Sequence, residues 1–320
     1  MALLPPFYLD TVVAIGVGQD PANRRWIGTG FIYGDLVTPT QEGGHKSYYL
    51  WLITNKHVLR DLKDVYVKFN SATEPNSKDY KVILVSRNGK PHWVGHPNQN
   101  TDVAAIFLSG QFLAEESRRF SVVCSDLHIC SKEKMKTGVL NEGDQVFVLG
   151  FPMGLVASER QYVICRSGII ARIRDYLDDK AGDFLVDAPV FPGGSGGPVV
   201  SCPSAIAITD TKAPDRADLI GIVKSYVPYI DVAVSTQTNR PRVTFEENSG
   251  LTAIEPTEAI LETVALAVKR LKNRSVQAKF QAKRKTQSQA VEQPVGADGG
   301  QDEVPETTVT TAAAQRGRYA

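Results

Sequence analysis

The sequence has no apolar run that approaches the roughly 20 residues needed to cross a bilayer. Residues 1–16, MALLPPFYLDTVVAIG, lack the basic start of a secretory signal and contain two prolines and an early aspartate. Charge of either sign is not in excess, since 36 Lys and Arg against 35 Asp and Glu leave a net charge of +1. We therefore expect a cytoplasmic protein without a membrane span and without general attraction to nucleic acid.

Metal-binding residues are also scarce. The chain has five histidines and four cysteines, namely Cys124, Cys130, Cys165 and Cys202. His92 and His96 lack the glutamate of the H-E-x-x-H zinc pattern, and Cys124, His128 and Cys130 lack a second pair of ligands. Without an export signal, the cysteines are predicted to be free thiols, and we expect no metal site.

Long helices are missing until about residue 254. The chain up to that point consists of short runs rich in Val, Ile, Tyr and Phe that are bounded by Gly, Asn, Asp or Pro. Examples are TVVAIGVG, YYLWLIT, DVYVKF, YKVILVS, DQVFVLG and LIGIVKSYV. Many short strands without alternating helices predict an all-β sandwich or barrel.

One helix and one polar tail follow the strands. Residues 256–272 have a proline at the start, acidic residues early and basic residues late, which is typical of a helix. Its apolar stripe is Ile260, Val264, Val268 and Leu271, with Leu261 beside it, and we expect it to dock on its own domain. Residues 273–320 are low in bulky apolar residues and are predicted to be disordered. The basic segment 269–285 is a weak exception to the expectation of no nucleic-acid partner.

A glycine-rich stretch, FPGGSGGPVVS (191–201), surrounds Ser195. A serine hydroxyl becomes a good nucleophile only beside a base, most often histidine. The five histidines are His45, His57, His92, His96 and His128, and all precede Ser195. The segment matches the G-x-S-x-G elbow of α/β-hydrolases, but that fold places its histidine after the serine. A subtilisin-like order would need a catalytic aspartate before the histidine. Asp10, Asp20 and Asp35 precede His57, but the residues around them give little support for a catalytic role.

The remaining chain order is histidine, aspartate, serine. His57 follows an apolar strand that ends in Thr54 and Asn55, and Asp102 comes directly before the apolar run 103–108. A carboxylate at the start of a buried strand is partly desolvated and still accepts a hydrogen bond from an imidazole. Residues at strand and turn boundaries are the pattern of a catalytic triad held on a rigid β scaffold.

These segments together resemble the trypsin-like (chymotrypsin-fold) serine proteases, and in style the HtrA/Deg-type protease domain. The matching segments are GTGFIYG (28–34), LITNKHVL (52–59), TDVAAIFL (101–108), GFPMGL (150–155), DAPVFPGGSGGPVV (187–200), LIGIVKS (219–225) and NSGLTAIEPTEAI (248–260). The resemblance covers roughly residues 8–272. It implies two six-stranded antiparallel β-barrels, about 8–115 and 120–255, followed by the helix 256–272.

The resemblance also implies a mechanism. Ser195 would attack a peptide carbonyl, His57 would take and return the proton, and Asp102 would orient the imidazole. The backbone N–H groups of Gly193 and Ser195, with Gly194 shaping the turn between them, would bind the oxyanion. No cofactor is implied, and the expected partner is a protein or peptide substrate.

The substrate pocket implied by the resemblance has two walls. They are the segment before the nucleophile, Pro189, Val190, Phe191 and Pro192, and the strand segment Ile222, Val223, Lys224, Ser225 and Tyr226. Pro189 stands where trypsins keep an aspartate, so an uncharged pocket with an apolar P1 preference is expected. The alternative is a bias toward acidic residues from the positive charge of Lys224.

Two departures from the family affect regulation. Gly194 stands where many trypsins have the aspartate that pairs with a newly cleaved N-terminus, so we expect activation without N-terminal processing. Only one helix and residues 273–320 follow the barrels, so no PDZ domain is expected and the oligomeric state stays open. A catalytically silent scaffold and a single-site viral or phage-type processing protease are the alternatives to a general endopeptidase.

Overall fold

The computed structural model describes residues 3–37, 46–204 and 212–273 of the 320-residue chain. Apart from residue 273, the predicted disordered tail lies outside the described residues, as does most of the basic segment 269–285. Within the described ranges, no helix is long and apolar enough to cross a membrane. The four cysteines are free thiols.

The N-terminal half is a curled sheet of eight strands. They are β1 (Val12–Val17), β2 (Arg25–Leu36), β3 (Tyr48–Thr54), β4 (Asp64–Phe69), β5 (Lys78–Ile83), β6 (Trp93–Gly95), β7 (Ala104–Leu108) and β8 (Val123–Cys124). Seven strands follow the antiparallel order β5-β4-β1-β2-β3-β7-β6, and β8 pairs in parallel with β2. Helix α1 (Phe7–Thr11) precedes β1, whereas the 3₁₀ turn Pro21–Asn23 and the short helices α2 (Lys56–Leu59) and α3 (Gly110–Glu115) lie between strands.

The C-terminal half is a closed six-stranded barrel. Its strands are β9 (Gln145–Gly150), β10 (Ile164–Arg172), β11 (Phe184–Asp187), β12 (Pro198–Ser201), β13 (Leu219–Val234) and β14 (Pro241–Pro256). The order β10-β11-β14-β13-β12-β9 closes where β9 pairs with β10. The helices of this half are α4 (Lys132–Lys134), α5 (Arg174–Leu177) and α6 (257–273), with a π turn at Met135–Val139 and a 3₁₀ turn at Pro152–Gly154.

The all-β class and the six-stranded second barrel are confirmed, while the first half differs in detail from a six-stranded barrel. The chain that joins β5 to β6 forms a short turn with a bridge between Val85 and Pro91, where His92 N–H donates to Leu84 O at 2.8 Å and Ser86 N–H donates to Lys90 O at 2.9 Å. Among the described residues, β5 and β6 themselves do not pair with each other. The result is a half-open sheet of eight strands.

The apolar run of strand β2 is continuous rather than alternating because both faces of the strand are buried. Phe31 and Tyr33 pack in the cluster that lies between the two halves, whereas Ile32 packs in the interior of the N-terminal sheet. Successive side chains of a strand point to opposite faces. Both faces of β2 are therefore buried, and the strand that carries the GTGFIYG segment lies in the middle of the protein.

The helix α6 confirms the prediction for residues 256–272 to within one residue at each end. Ile260 and Val264 are fully buried in the cluster between the halves. His96 Nε2 lies 2.7 Å from the Glu262 carboxylate, and the Tyr176 hydroxyl donates a hydrogen bond of 2.6 Å to Glu258. The helix is thus attached to the N-terminal half through His96 and to the C-terminal half through Tyr176.

Candidate active site

His57 lies at the point where strand β3 ends and the one-turn helix α2 begins. Val58 and Leu59, the next residues of that helix, are buried and anchor it to the interior of the N-terminal sheet. The buried Lys56 amine lies 2.9 Å from the carbonyl oxygen of Asn98, in the loop that leads to Asp102. These contacts hold the His57 ring, which is 46% exposed, at the surface between the halves.

Asp102 lies just before strand β7 and receives two hydrogen bonds from His57. The backbone N–H of His57 donates to Oδ1 at 3.1 Å, and the ring Nδ1 pairs with Oδ2. Burial alone would raise the pKa of Asp102, but the hydrogen bonds and charge of His57 outweigh burial and hold the pKa below its ordinary value. The carboxylate is therefore ionised at neutral pH and selects the His57 tautomer with hydrogen on Nδ1.

The backbone of Asp102 is fixed from both halves of the protein. Asn55 Nδ2 donates to its carbonyl oxygen at 2.6 Å, and its own N–H donates to Glu255 Oε1 at 2.8 Å. Glu255 belongs to strand β14 and is only 1% exposed. The position of the aspartate thus depends on the packing of the C-terminal barrel against the N-terminal sheet.

Ser195 lies in the loop between strands β11 and β12. Its residue is half-buried, and the hydrogen bonds of the described residues include none from its hydroxyl. Gly193 has φ +93°, and a Cβ there would lie 2.5 Å from the Phe151 carbonyl oxygen. Only glycine is accommodated in this left-handed conformation beside another backbone.

Thr29 of strand β2 holds this loop from the N-terminal half. Its backbone N–H donates to Ser195 O at 2.9 Å, and its hydroxyl donates to Gly193 O at 2.7 Å. The same hydroxyl accepts the N–H of Phe151 at 3.1 Å. Thr29 is fully buried, so all three bonds lie away from water, where a hydrogen bond is electrostatically stronger.

The backbone N–H groups in and around the loop that carries Ser195 differ in whether they have a hydrogen-bond partner. Gly194 N–H donates to Phe191 O at 2.9 Å, and Pro192 O accepts the N–H of Met153 at 2.6 Å. Within the described part of the chain, the N–H groups of Gly193 and Ser195 have no backbone partner. They are therefore free to donate to a ligand oxygen beside the serine.

A cavity of about 460 Å³ brings the predicted residues together. Its lining also includes Ile27, which no sequence motif marked. The predicted residues in the lining are His57, Asp102, Ser195, Gly193, Val190, Phe191, Pro192, Lys224, Ser225 and Tyr226. Three of the predicted pocket residues are elsewhere. Ile222 and Val223 are buried in the core, and Pro189 is exposed outside the cavity.

A strand irregularity explains which residues reach the cavity. The pairing of β13 with β14 shifts between Val223 and Ser225. A bulge re-aims side chains, so Lys224, Ser225 and Tyr226 all line the cavity, which strict alternation would not allow. Val223 instead bonds to the loop that carries Ser195 through its N–H, which donates to Gly197 O at 2.9 Å.

The charge of Lys224 is compensated inside the protein. Its amine lies 2.9 Å from Asp183 and 3.0 Å from Glu255. Burial would lower the pKa of Lys224, but the bonds to these carboxylates raise it, so the amine stays protonated. Burial raises the pKa of Glu255, opposed by its bonds to Asp102 N–H and Lys224.

Sequence reasoning missed Thr29, Asn55 and Glu255 as supports of the site. Thr29 and Asn55 lie inside segments that the family resemblance matched, so their places were visible, but the targets of their hydrogen bonds were not. Glu255 also lies in a matched segment, 248–260, and gave a second signal, a charged residue within the apolar end of the strand LTAIEP. Charged residues are rarely fully buried unless they are paired.

Comparisons with known proteins identify the family of the chain. Residues 28–204 match the family described as the trypsin-like peptidase domain, and because this is more than half of the chain, the protein belongs to that family. No curated protein gives a significant match. Among solved structures, the MamO protease domain from Magnetospirillum magneticum (apo form) is 15% identical with a TM-score of 0.38, over 80% of this chain and 96% of that one. Similarity at that level supports no conclusion about function, and closeness to the HtrA type stays a prediction.

Proposed function

We propose that the protein is a serine endopeptidase that cleaves peptide bonds through Ser195, His57 and Asp102. The observation that supports this most directly is that the His57–Asp102 pair and Ser195 line one cavity beside two N–H groups without a backbone partner. Membership of the trypsin-like peptidase family supports the same reaction class.

The proposed reaction proceeds through an acyl-enzyme. Ser195 Oγ forms a bond to the carbonyl carbon as His57 Nε2 takes the hydroxyl proton. The negative oxygen of the tetrahedral intermediate accepts hydrogen bonds from Gly193 and Ser195 N–H. The C–N bond then breaks as the imidazolium returns the proton to the leaving amine. Water, deprotonated by the same imidazole, hydrolyses the ester and restores the serine.

The pocket chemistry favours an apolar P1 residue. Ile27, Val190 and Phe191 supply apolar surface to the cavity, and the single ammonium group in its lining belongs to Lys224. Because Asp183 and Glu255 balance that charge, it offers little to an acidic P1 side chain. A P1-variable peptide library should therefore give leucine, valine or phenylalanine as preferred residues. A profile dominated by arginine or lysine would contradict the proposal.

A fluorophosphonate probe tests the nucleophile directly. We expect covalent labelling of the wild-type chain at Ser195 by mass spectrometry, with no labelling of Ser195→Ala and strongly reduced labelling of His57→Ala. The Ser195→Ala variant is the matched control because it changes one atom of a half-buried side chain. A wild-type protein that is not labelled at Ser195 would favour the silent scaffold. Labelling without turnover of any library peptide would favour a single-site processing protease.

The expected partners follow from this proposal. The substrates are proteins or peptides, and activation without N-terminal processing is tested by labelling the chain with its first residues intact. The cytoplasmic location and the domain boundaries predicted from the sequence stay predictions, which cell fractionation and limited proteolysis test.

A further inference from the structure

Strands β13 and β14 continue beyond the barrel as a two-stranded ribbon. We define the distal ribbon as residues 228–234 of β13 paired with residues 241–248 of β14. Strand β12 pairs with β13 only between residues 219 and 222, and β11 pairs with β14 only between residues 251 and 254. Within the described residues, both outer edges of the distal ribbon are therefore unpaired.

The distal ribbon exposes large apolar side chains. Between 40% and 59% of the surface of each is exposed, and they are Tyr229, Ile230, Val232, Val234, Val243 and Phe245. Contiguous exposed apolar surface marks interaction sites, and a two-stranded hairpin is at best marginally stable alone. The distal ribbon therefore has the composition and the open edges of a segment that pairs with a further strand.

The two edges of the distal ribbon differ in charge. Residues 228–234 of β13 carry one charge, at Asp231, whereas residues 241–248 of β14 carry both signs, at Arg242, Glu246 and Glu247. Two copies of the β13 edge would bring only acidic side chains together, and like charges opposite each other destabilise a sheet. The β14 edge is therefore the one whose charges can match those of a second copy.

The β14 edge is complementary to itself in one antiparallel register. When a two-fold axis passes through Thr244, residues at equal distances on either side of it face each other. Arg242 then lies opposite the partner's Glu246, and Val243 lies opposite the partner's Phe245. Each pair occurs twice by symmetry. Opposite charges, and an aromatic ring beside a β-branched side chain, are favourable cross-strand pairs.

Neighbouring registers match less well. An axis one residue later places Arg242 opposite the partner's Asn248, so that no opposite charges meet. An axis one residue earlier leaves Glu246 opposite the partner's Arg240, which precedes the first residue of β14. The register centred on Thr244 thus places both members of the charged pair within the paired strand.

The groups that this register joins are accessible in the single chain. Residues 241–248 are all exposed. Among the described residues, the Arg242 guanidinium has no hydrogen bond or ion pair. Glu246 accepts the Tyr226 hydroxyl on one oxygen, Oε1, and its other oxygen has no such partner within the described chain. Because Tyr226 also lines the cavity, the partner's Arg242 would bind a carboxylate that contacts the cavity wall.

We propose that two copies of the chain form a dimer in which residues 241–247 of β14 pair antiparallel about a two-fold axis at Thr244. The two ribbons then form one four-stranded sheet, with about six backbone hydrogen bonds between the central strands. This pairing covers an edge that would otherwise stay open to unrelated strands. The interface is small, so we expect weak self-association in the micromolar range. The inference does not depend on the proposed protease function.

Sedimentation equilibrium of the full chain tests the charged pair. We expect the wild type to show a monomer–dimer equilibrium. Arg242→Glu and Glu246→Arg each place like charges opposite each other twice, and each should raise the dimer Kd about tenfold or more. Glu247→Arg is the matched control, because it makes the same change of charge at the next residue, which faces the partner's Pro241. It should leave the Kd within about threefold of the wild type.

Mixing the two charge-reversal variants tests the pairing without relying on loss of association. The Arg242→Glu chain has acidic side chains at both positions and the Glu246→Arg chain has basic ones, so in a mixed dimer every charge faces its opposite. With one variant labelled by a fluorophore, we expect the mixture to form heterodimers at concentrations where each variant alone is monomeric. Such rescue also shows that both variants are folded.

Three outcomes of sedimentation would overturn the inference. The first is a wild type that stays monomeric into the upper micromolar range. The second is a dimer that neither charge reversal weakens, which would place the interface elsewhere on the chain. The third is a mixture of the two variants that sediments only as monomers.

A cysteine at the axis tests the register independently. Directly opposite residues of antiparallel strands have Cα atoms about 4.5–5.5 Å apart, a separation that a disulfide can bridge. Mild oxidation should therefore link two copies of Thr244→Cys. Val232→Cys is the matched control, since Val232 faces Thr244 within the ribbon and lies one strand further from the axis. Equal linkage of Val232→Cys, or of the wild type through its exposed Cys165, would contradict this register.

Discussion

Replacing Thr29 with valine tests how the N-terminal half holds the loop that carries Ser195. Valine has nearly the shape of threonine and lacks the hydroxyl that donates to Gly193 O and accepts from Phe151 N–H. Because Thr29 is fully buried, water cannot replace the lost group. The substitution therefore leaves one buried carbonyl and one buried N–H without partners.

The size of the effect follows from these two groups. A buried polar group without a partner costs about 1–3 kcal/mol, so the free energy of unfolding should fall by about 2–6 kcal/mol. Gly193 also loses the bond that fixes its orientation, and the loss of one oxyanion donor typically lowers kcat by about 10²–10³. We expect fluorophosphonate labelling of Thr29→Val to slow by about 100-fold.

The assay compares labelling rates with urea unfolding of the same preparations. Thr29→Ser is the matched control, since it retains the hydroxyl and loses only a methyl group. It should label at close to the wild-type rate. If Thr29→Val is destabilised and still labels within twofold of the wild type, the hydroxyl does not hold Gly193 and the reasoning is wrong.

Two further predictions concern the buried charges. Glu255→Gln retains an oxygen that accepts Asp102 N–H and removes one of the two carboxylates that balance the charge of Lys224. A P1-variable peptide library should therefore record increased cleavage after acidic residues. An unchanged P1 profile would contradict this charge balance. Because the folded pKa of Asp102 lies below its ordinary 3.8, its carboxylate stabilises the fold fully above that pH, and this contribution disappears as the pH falls through the folded pKa. The difference in the free energy of unfolding between the wild type and Asp102→Asn, measured in urea, should therefore become smaller below about pH 4. A difference that does not change with pH would contradict this prediction.

Local chemistry accounts for the features that were predictable. The stripe of α6 has the period of a helix, with Ile260 and Val264 buried and Val268 and Leu271 partly buried. The apolar run of β3 ends at Asn55, and His57 follows in α2. Two of the four glycines around Ser195, Gly193 and Gly196, adopt the positive φ that only glycine takes easily.

Features that depend on non-local pairing were not predictable. Ile222 and Val223 are adjacent to the cavity residues in sequence but are buried in the core, because the register shift after Val223 re-aims the strand. The first sheet stays half-open because its end strands β5 and β6 are joined by a turn and do not pair with each other within the described residues. Neither a bulge nor a sheet closure is encoded by the residue pattern of one strand alone.

The sequence by itself determined the all-β class, the closing helix and the order of His57, Asp102 and Ser195, because strand and helix periods and turn residues act over short distances. Only the tertiary structure determined which residues contact the segment FPGGSGGPVVS (191–201). Thr29 lies 166 residues before Ser195, and Glu255 lies 153 residues after Asp102, yet hydrogen bonds join each to its partner. Such contacts form only between segments that the fold brings together. The hydrogen bonds that hold the Ser195 loop and the ion pairs that balance Lys224 therefore depend on how the two halves pack.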